Sequence, residues 1–284
     1  MELIWDQIAL AGAIALVAFG FTLLYSVARF INFAHQSTIS VSAYACYWAH
    51  MILGLGILPS IGIALGIATL FGILEYCLVF RPFIGRPAHL LVVTSFGISL
   101  IVESGLAMIF GTANKSLGIK DPLVGINGVS FYLRDIYVWC ALIVIIPVIV
   151  LYLRRARFGL LAQAIPVNMR QVRIWGLSVH PPMILVFGLS ALLAGLAGVY
   201  LGVGWSVFPG MGLKWGIWAF SVAIIGGLGS LYGSLLGAAV VTLPVLIAYR
   251  FGGAVMADGI LFLFTAGVLL VRPQGLFPLR MRRI

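Results

Sequence analysis

Apolar runs of membrane-crossing length alternate with short polar breaks along almost the whole chain. A helix needs about 20 apolar residues to cross the hydrocarbon of a bilayer. The first such run covers Gln7 to Val27. The second, Phe30 to about Leu53, is different: Asn32, His35, Gln36, Ser37, Thr38, Ser40 and Ser42 are set into an apolar frame. Polar groups at that depth are tolerated only where they face protein or a water-filled cavity, so this run predicts a helix that lines a cavity. Further runs cover Ile61 to Phe80, Leu90 to Phe110 and Ile136 to Leu153, with a polar segment from Gly111 to Asp135 before the last of these.

After a long interruption the pattern resumes at Met183 to Val203, where Ala191, Gly195, Gly198 and Gly202 offer a neighbouring helix a close approach. In Trp218 to Tyr249, Gly229, Gly233 and Gly237 are spaced four apart, as on one helix face. The Gly226-Gly227-Leu228-Gly229 run ahead of them predicts a break between two short helices, and Pro244 predicts a kink. The last run covers Asp258 to Val271. The fold class predicted is an all-α, polytopic transmembrane bundle of about eight or nine spans, some short or broken, in a single domain over residues 1–284.

The interruption itself, Arg154 to Pro182, reads RRARFGLLAQAIPVNMRQVRIWGLSVHPP. It carries Arg154, Arg155, Arg157, Arg170 and Arg173, five of the seventeen Lys and Arg residues. Basic loops beside spans are cytoplasmic as a rule, and Arg81 and Arg86 mark a second one. Glu2 and Asp6 ahead of the first run and Arg272, Arg280, Arg282 and Arg283 at the end place the N-terminus outside and the C-terminus inside. An N-terminus without basic residues also argues against a cleaved signal peptide. Lys115, Lys120, Asp121, Arg134 and Asp135 mix their signs, and alternation places their segment outside. In the basic loop, Pro166 fits the first turn of a helix continued by Val167 to Trp175, with Gly176 as terminator and Pro181-Pro182 closing the segment. A topological tether needs a few Arg residues only. Leu160, Leu161, Ile165, Val167, Val172, Ile174 and Trp175 are surplus to that, and left exposed they mark a contact site.

Composition narrows the class. With 63% hydrophobic and 8% charged residues, the chain cannot cover itself as a soluble domain. A net charge of +10 would fit nucleic acid, but the basic residues sit between apolar runs or at the C-terminus, which fits an anionic inner leaflet. Cys46, Cys77 and Cys140 lack metal or redox spacing and read as small hydrophobes. No phosphate-binding loop is present, since the single Lys-Ser pair, Lys115-Ser116, lacks its glycines. No nucleophile triad or metal set can be picked out, which leaves an intramembrane enzyme without machinery. Glu75 reads as a structural carboxylate, paired with Arg81 or snorkelled. Glu103, with Ser99 in the same run, reads equally as part of a route and as an inter-helix hydrogen bond. His35 reads more readily as a packing residue than as a ligand. Asp258 fits a helix start.

With those residues read, the chain resembles the LivH-type permease subunits of bacterial ABC importers for branched-chain amino acids. The strings that carry the resemblance are INFAH within Ala15–His35, the basic loop, GGLGS within Ala219–Ala238, and RPQGLF within Leu269–Phe277. The resemblance implies an inner-membrane subunit that is not itself an enzyme and holds no cofactor. It implies a second permease as partner, two ATP-binding cassette subunits that use the ATP, and a substrate-binding protein. It places the substrate pathway near Asn32, His35, Gln36, Ser37, Ser99 and Glu103. It assigns ATPase coupling to the Phe158–Gly176 loop, with Arg157, Phe158, Gly159, Gln163, Asn168, Arg170, Arg173 and Gly176, and helix packing to Gly226, Gly227, Gly229, Gly233 and Gly237. Relatives commonly carry an acid and an Asn-Pro pair in the loop; this chain has Pro166-Val167-Asn168 and no acid. Gln36 stands where Gly or Asn usually follows the His. Permeases of this type for urea, short amides or small carboxylates remain an alternative, as does a secondary transporter working alone.

Overall fold

The computed structural model describes residues 2–119, 122–126 and 129–277. The side chains of Glu2 and Asp6, and Lys120, Asp121, Arg280, Arg282 and Arg283, lie outside what it describes. The apolar first run forms α1 (Glu2–Ala28), which stops where Arg29 takes a left-handed conformation, φ 58°. The short α2 (Ala34–Tyr47) opens with the Asn32 side chain accepting from the Ala34 N–H at 3.0 Å, and runs on through a wide π turn, Trp48–Ile52, to Gly54 at φ 68°. Next comes α3 (Ile57–Leu74), continued by a second π turn, Glu75–Phe80. It is followed by α4 (Ala88–Phe110), ended by Gly111 at φ 81°.

The polar segment contains an antiparallel hairpin, β1 (Leu123–Ile126) and β2 (Val129–Tyr132), with Leu123 opposite Tyr132. This corrects the all-α expectation in one place. The hairpin leads into α5 (Leu133–Cys140), which continues through a π turn into α6 (Ile146–Arg155). The basic loop folds as α7 (Arg157–Ala164) and α8 (Met169–Ile174). Then follow α9 (His180–Gly204), α10 (Met211–Gly226) and α11 (Leu231–Val271).

Six helices among the described residues are long and apolar enough to cross a membrane, or seven if a bent pair counts as one span. Eight or nine were expected. The difference lies in α2, too short for a full span, and in the α10–α11 region. There Met211–Gly226 and Leu231–Val245 meet at 112° across the expected glycine break. Gly229 belongs to that break, at φ 90°, and not to a helix face shared with Gly233 and Gly237. Pro244 sits just before the separate span Ile247–Val271, which is longer than the Asp258–Val271 expected.

Helices α1 and α9 are buried along most of their length and α2 is buried almost throughout; α3, α4, α5–α6 and the end of α11 lie outside them. Outer positions such as Met108 and Leu270 are 87% exposed, which suits lipid or a second subunit rather than water. The close approach that small residues allow is present on α9. A Cβ added at Gly198 would meet Ser42 Oγ and the Ile39 carbonyl of α2, and one at Gly195 would lie 2.7 Å from Ala68 Cβ of α3. At the bend, Gly226 and Gly233 pack backbone on backbone.

Candidate functional site

The polar residues of α2 face neighbouring helices and are tied to three of them. Asn32 Nδ2 donates to Glu75 Oε1 at 2.6 Å, which fixes the start of α2 to the turn after α3. Glu75 therefore takes Asn32 as its partner, not the Arg81 expected from sequence. The Phe33 N–H donates to Ser95 Oγ at 3.0 Å, and Gln36 Nε2 and Ser37 Oγ both reach Ser99 Oγ, at 3.3 and 3.0 Å. Ser40 Oγ donates to the Pro209 carbonyl at 3.0 Å and accepts from the Gly212 N–H at 2.8 Å, at the start of α10. Glu103 lies one turn beyond Ser99, near the Leu213 backbone at the start of α10, and its Oε1 is buried without a hydrogen-bond partner. Ser95, Ser99 and Glu103 thus form one face of α4 at i, i+4, i+8, turned toward α2 and α10.

His35 stands apart from this set. Its ring lies edge-on to Phe21, 4.7 Å between centroids, and Nε2 has no hydrogen-bond partner where it faces Gly20. A Cβ at Gly20 would lie 2.7 Å from that nitrogen. Gln36 Oε1 and Thr38 Oγ1 are likewise buried without a partner. Among the described residues, three cavities, beside Trp218, Phe80 and Tyr137, are lined by other side chains than these. Asn32, His35, Gln36, Ser37 and Ser99 are packed against helices, and Glu103 is half-buried.

The basic loop is built in two pieces, not one. The turn after Ala164 holds Pro166, which therefore does not open a helix; Asn168 does, accepting from the Gln171 N–H at 3.0 Å. Gly176, at φ 72°, ends α8 as expected, and Pro181 and Pro182 open α9 rather than close the loop. The loop is pinned to the end of α6 by Gln163, whose Nε2 donates to the Leu153 carbonyl. Gly159 fits the same place, because a Cβ there would lie 2.6 Å from the Tyr152 carbonyl oxygen. Ile165 and Val172 turn inward, whereas Val167, Ile174 and Trp175 are 76%, 73% and 66% exposed. Arg157, Phe158, Arg170 and Arg173 are exposed beside them.

Two of the strings noted in the sequence touch each other. The Leu276 N–H donates to the Ile225 carbonyl at 2.8 Å, and Gly275, at φ 81°, packs on Gly227, at φ 100°. The RPQGLF tail therefore closes over the glycine bend.

Residues 3–271 match the family described as branched-chain amino acid transport system / permease component. The chain belongs to this family. Among its relatives is the high-affinity branched-chain amino acid transport system permease protein BraD of Pseudomonas aeruginosa, 28% identical, with 92% of this chain and 90% of that protein covered. LivH of Escherichia coli is 24% identical, over 97% of this chain and 94% of its own. A probable LivH of Methanocaldococcus jannaschii is 26% identical, over 95% and 92%. In fold, the permease is similar to a solved structure of PsaBC from Streptococcus pneumoniae in complex with Fab. The TM-score is 0.50 and the identity 13%, over 95% of this chain and 91% of that one.

Sequence reasoning about this permease grouped Asn32, His35, Gln36, Ser37, Ser99 and Glu103; the structure joins Gln36 and Ser37 to Ser99, bonds Asn32 to Glu75, and sets the His35 ring against Phe21. Sequence reasoning gave Ser95 and Ser40 no partner and left Glu75 to Arg81 or to snorkelling. The spacing of Ser95, Ser99 and Glu103 was the available signal for the first. For Ser40 and Glu75 the partners are distant in the chain, and no local pattern announces them.

Proposed function

We propose that this permease is one of two translocation subunits of an ATP-driven importer for branched-chain amino acids, in the inner membrane with its N-terminus outside and its C-terminus inside. It pairs with a second permease, and the pathway forms where the two meet, with the α2 region, His35 and Glu103 next to it. Two ATP-binding cassette subunits dock on the loop within residues 154–182, and a substrate-binding protein delivers the amino acid from outside. The chain is no enzyme and needs no cofactor of its own; ATP is consumed by the partners.

The observation that carries this reading is the exposed set Val167, Ile174 and Trp175, with the exposed Arg170 and Arg173 on the same loop. A basic, apolar surface on short helices at the membrane face is what a soluble partner can grip. The relatives, named as branched-chain amino acid transport permeases, supply the substrate class. The test is reconstitution in proteoliposomes. Radiolabelled leucine should accumulate only with the second permease, the ATPases and the binding protein present, and ATP supplied. Accumulation by this chain alone, driven by an ion gradient, would overturn the reading.

A further inference from the structure

Helices α4 and α10 both pack on α2, and two rungs connect their facing sides. In the first, Glu103 of α4 lies near the Leu213 backbone of α10. In the second, Phe96 of α4 and Phe220 of α10 meet the ring of Phe33, just before α2, with centroids 6.1 and 5.5 Å away. Phe96 precedes Glu103 by seven residues, and Phe220 follows Leu213 by seven. That spacing keeps each pair on one helix face, about 10 Å apart along the axis. The two helices therefore run in opposite directions, and their rungs are equally spaced.

The chemistry of the rungs is opposite. Beside Glu103, the fully buried Gln36 donates through Nε2 to Ser99 Oγ at 3.3 Å. That bond leaves Gln36 Oε1 turned to α10, where a Cβ at Gly216 would lie 2.7 Å from it. Among the described residues neither Gln36 Oε1 nor Glu103 Oε1 has a hydrogen-bond partner, and both atoms are buried. Buried acceptors are nearly always paired, and a carboxylate at membrane depth is costly enough to mark a function. Two such acceptors, one of them able to carry a charge, suit a cationic donor. The other rung is aromatic and open: Phe96 is 46% exposed, and Phe33 and Phe220 are partly exposed.

We propose that these rungs are the two ends of a subsite for the transported amino acid. Its ammonium group donates to Gln36 Oε1 and the Glu103 carboxylate, and its branched side chain rests on Phe33, Phe96 and Phe220. An ammonium brings three donors and the positive charge that the acceptors call for. The aromatic faces bury the aliphatic part. In this state the backbone of α10 at Leu213 and Gly216 covers the acceptors, so the subsite is closed and opens as that turn moves away from α2. The proposal rests on the importer reading, which supplies an amino acid as substrate. It adds which group of that substrate each rung holds.

The test is uptake by the complete reconstituted complex, with leucine and valine present together at equal concentration under different radiolabels. Glu103→Gln should slow both about tenfold and by the same factor, because the ammonium group is common to them. Phe96→Ala should lower the leucine-to-valine ratio about fourfold, the worth of the one methylene by which leucine is longer. Phe96 is exposed, so this variant is expected to fold, and Phe96→Leu, which keeps an apolar surface, should restore most of the ratio. An unchanged ratio in Phe96→Ala, an equal loss of both amino acids in that variant, or parental rates in Glu103→Gln would each overturn the subsite. If the parent complex shows no ATP-dependent uptake at all, the importer reading falls, and the subsite with it.

Discussion

Asn32, in the turn before α2, donates to the carboxylate of Glu75, in the π turn after α3, across 2.6 Å and with both residues almost fully buried. The same Asn32 accepts from the Ala34 N–H, so one amide both starts α2 and satisfies a buried acid. Removing it leaves that acid without its donor. Asn32→Leu should cost about 1–3 kcal/mol, the penalty of an unsatisfied buried group. Glu75→Gln keeps an acceptor and should cost clearly less. Thermal unfolding in detergent, followed by size-exclusion chromatography, separates the two. Equal losses would mean that the Asn32–Glu75 bond is not what matters.

Gly198 and Gly66 provide a paired test of helix packing. A Cβ at Gly198 runs into Ser42 Oγ and the Ile39 carbonyl, whereas nothing lies within 4 Å of one at Gly66. Gly198→Ala should lose about 1–3 kcal/mol to overpacking. Gly66→Ala should be neutral or slightly stabilising, since alanine is the better helix former. The comparison is read from yield and melting temperature of the purified chain.

Gly275→Ala tests the closure of the tail over the bend. The residue is at φ 81°, and its new Cβ would lie 2.6 Å from Gly227 Cα and from the Ile224 carbonyl oxygen. Strain and collision act together, and a loss of about 2 kcal/mol or more is expected. Limited proteolysis of the C-terminal tail should become faster. Unchanged protection would show that the Leu276–Ile225 bond does not depend on this glycine.

Arg170→Glu tests the docking surface without disturbing the fold. Arg170 is exposed on α8, so stability should stay within about 0.5 kcal/mol of the parent. Leucine uptake by the reconstituted complex should fall at least about tenfold, because reversing a rim charge places like against like or removes an attraction. Gly159→Glu is a poorer test of the same idea. Gly159 is buried against Tyr152 and Leu153, and that substitution disrupts the loop itself.

Glu103→Gln keeps the size of the side chain and a carbonyl oxygen near the Leu213 backbone while removing the charge. Assembly should be preserved and the transport rate reduced, as measured by uptake at saturating binding protein. A normal rate would assign Glu103 to packing against α10 alone.

Read by itself, the order of residues was enough for the membrane class, the family resemblance, most of the spans, the glycine bend before α11 and the terminating role of Gly176. These are local properties: apolar length, backbone freedom at glycine and the absence of a proline N–H act over a few residues. The hairpin was also within reach, since Asn127-Gly128 between two short β-prone runs is a recognised turn signal. What could not be read was which polar atom meets which. Asn32 with Glu75, Ser40 with Gly212 and Gly227 with Gly275 lie far apart in the chain and meet only when helices pack. Nor could the sequence tell that the polar face of α2 is tied to α4, to α10 and to the turn after α3. That outcome depends on how closely α9 and α10 approach, and the approach is decided by contacts of their glycines with α2 and α3. Burial and partner choice are therefore tertiary facts, because the cost of an unpaired polar group is settled by whatever surface finally covers it.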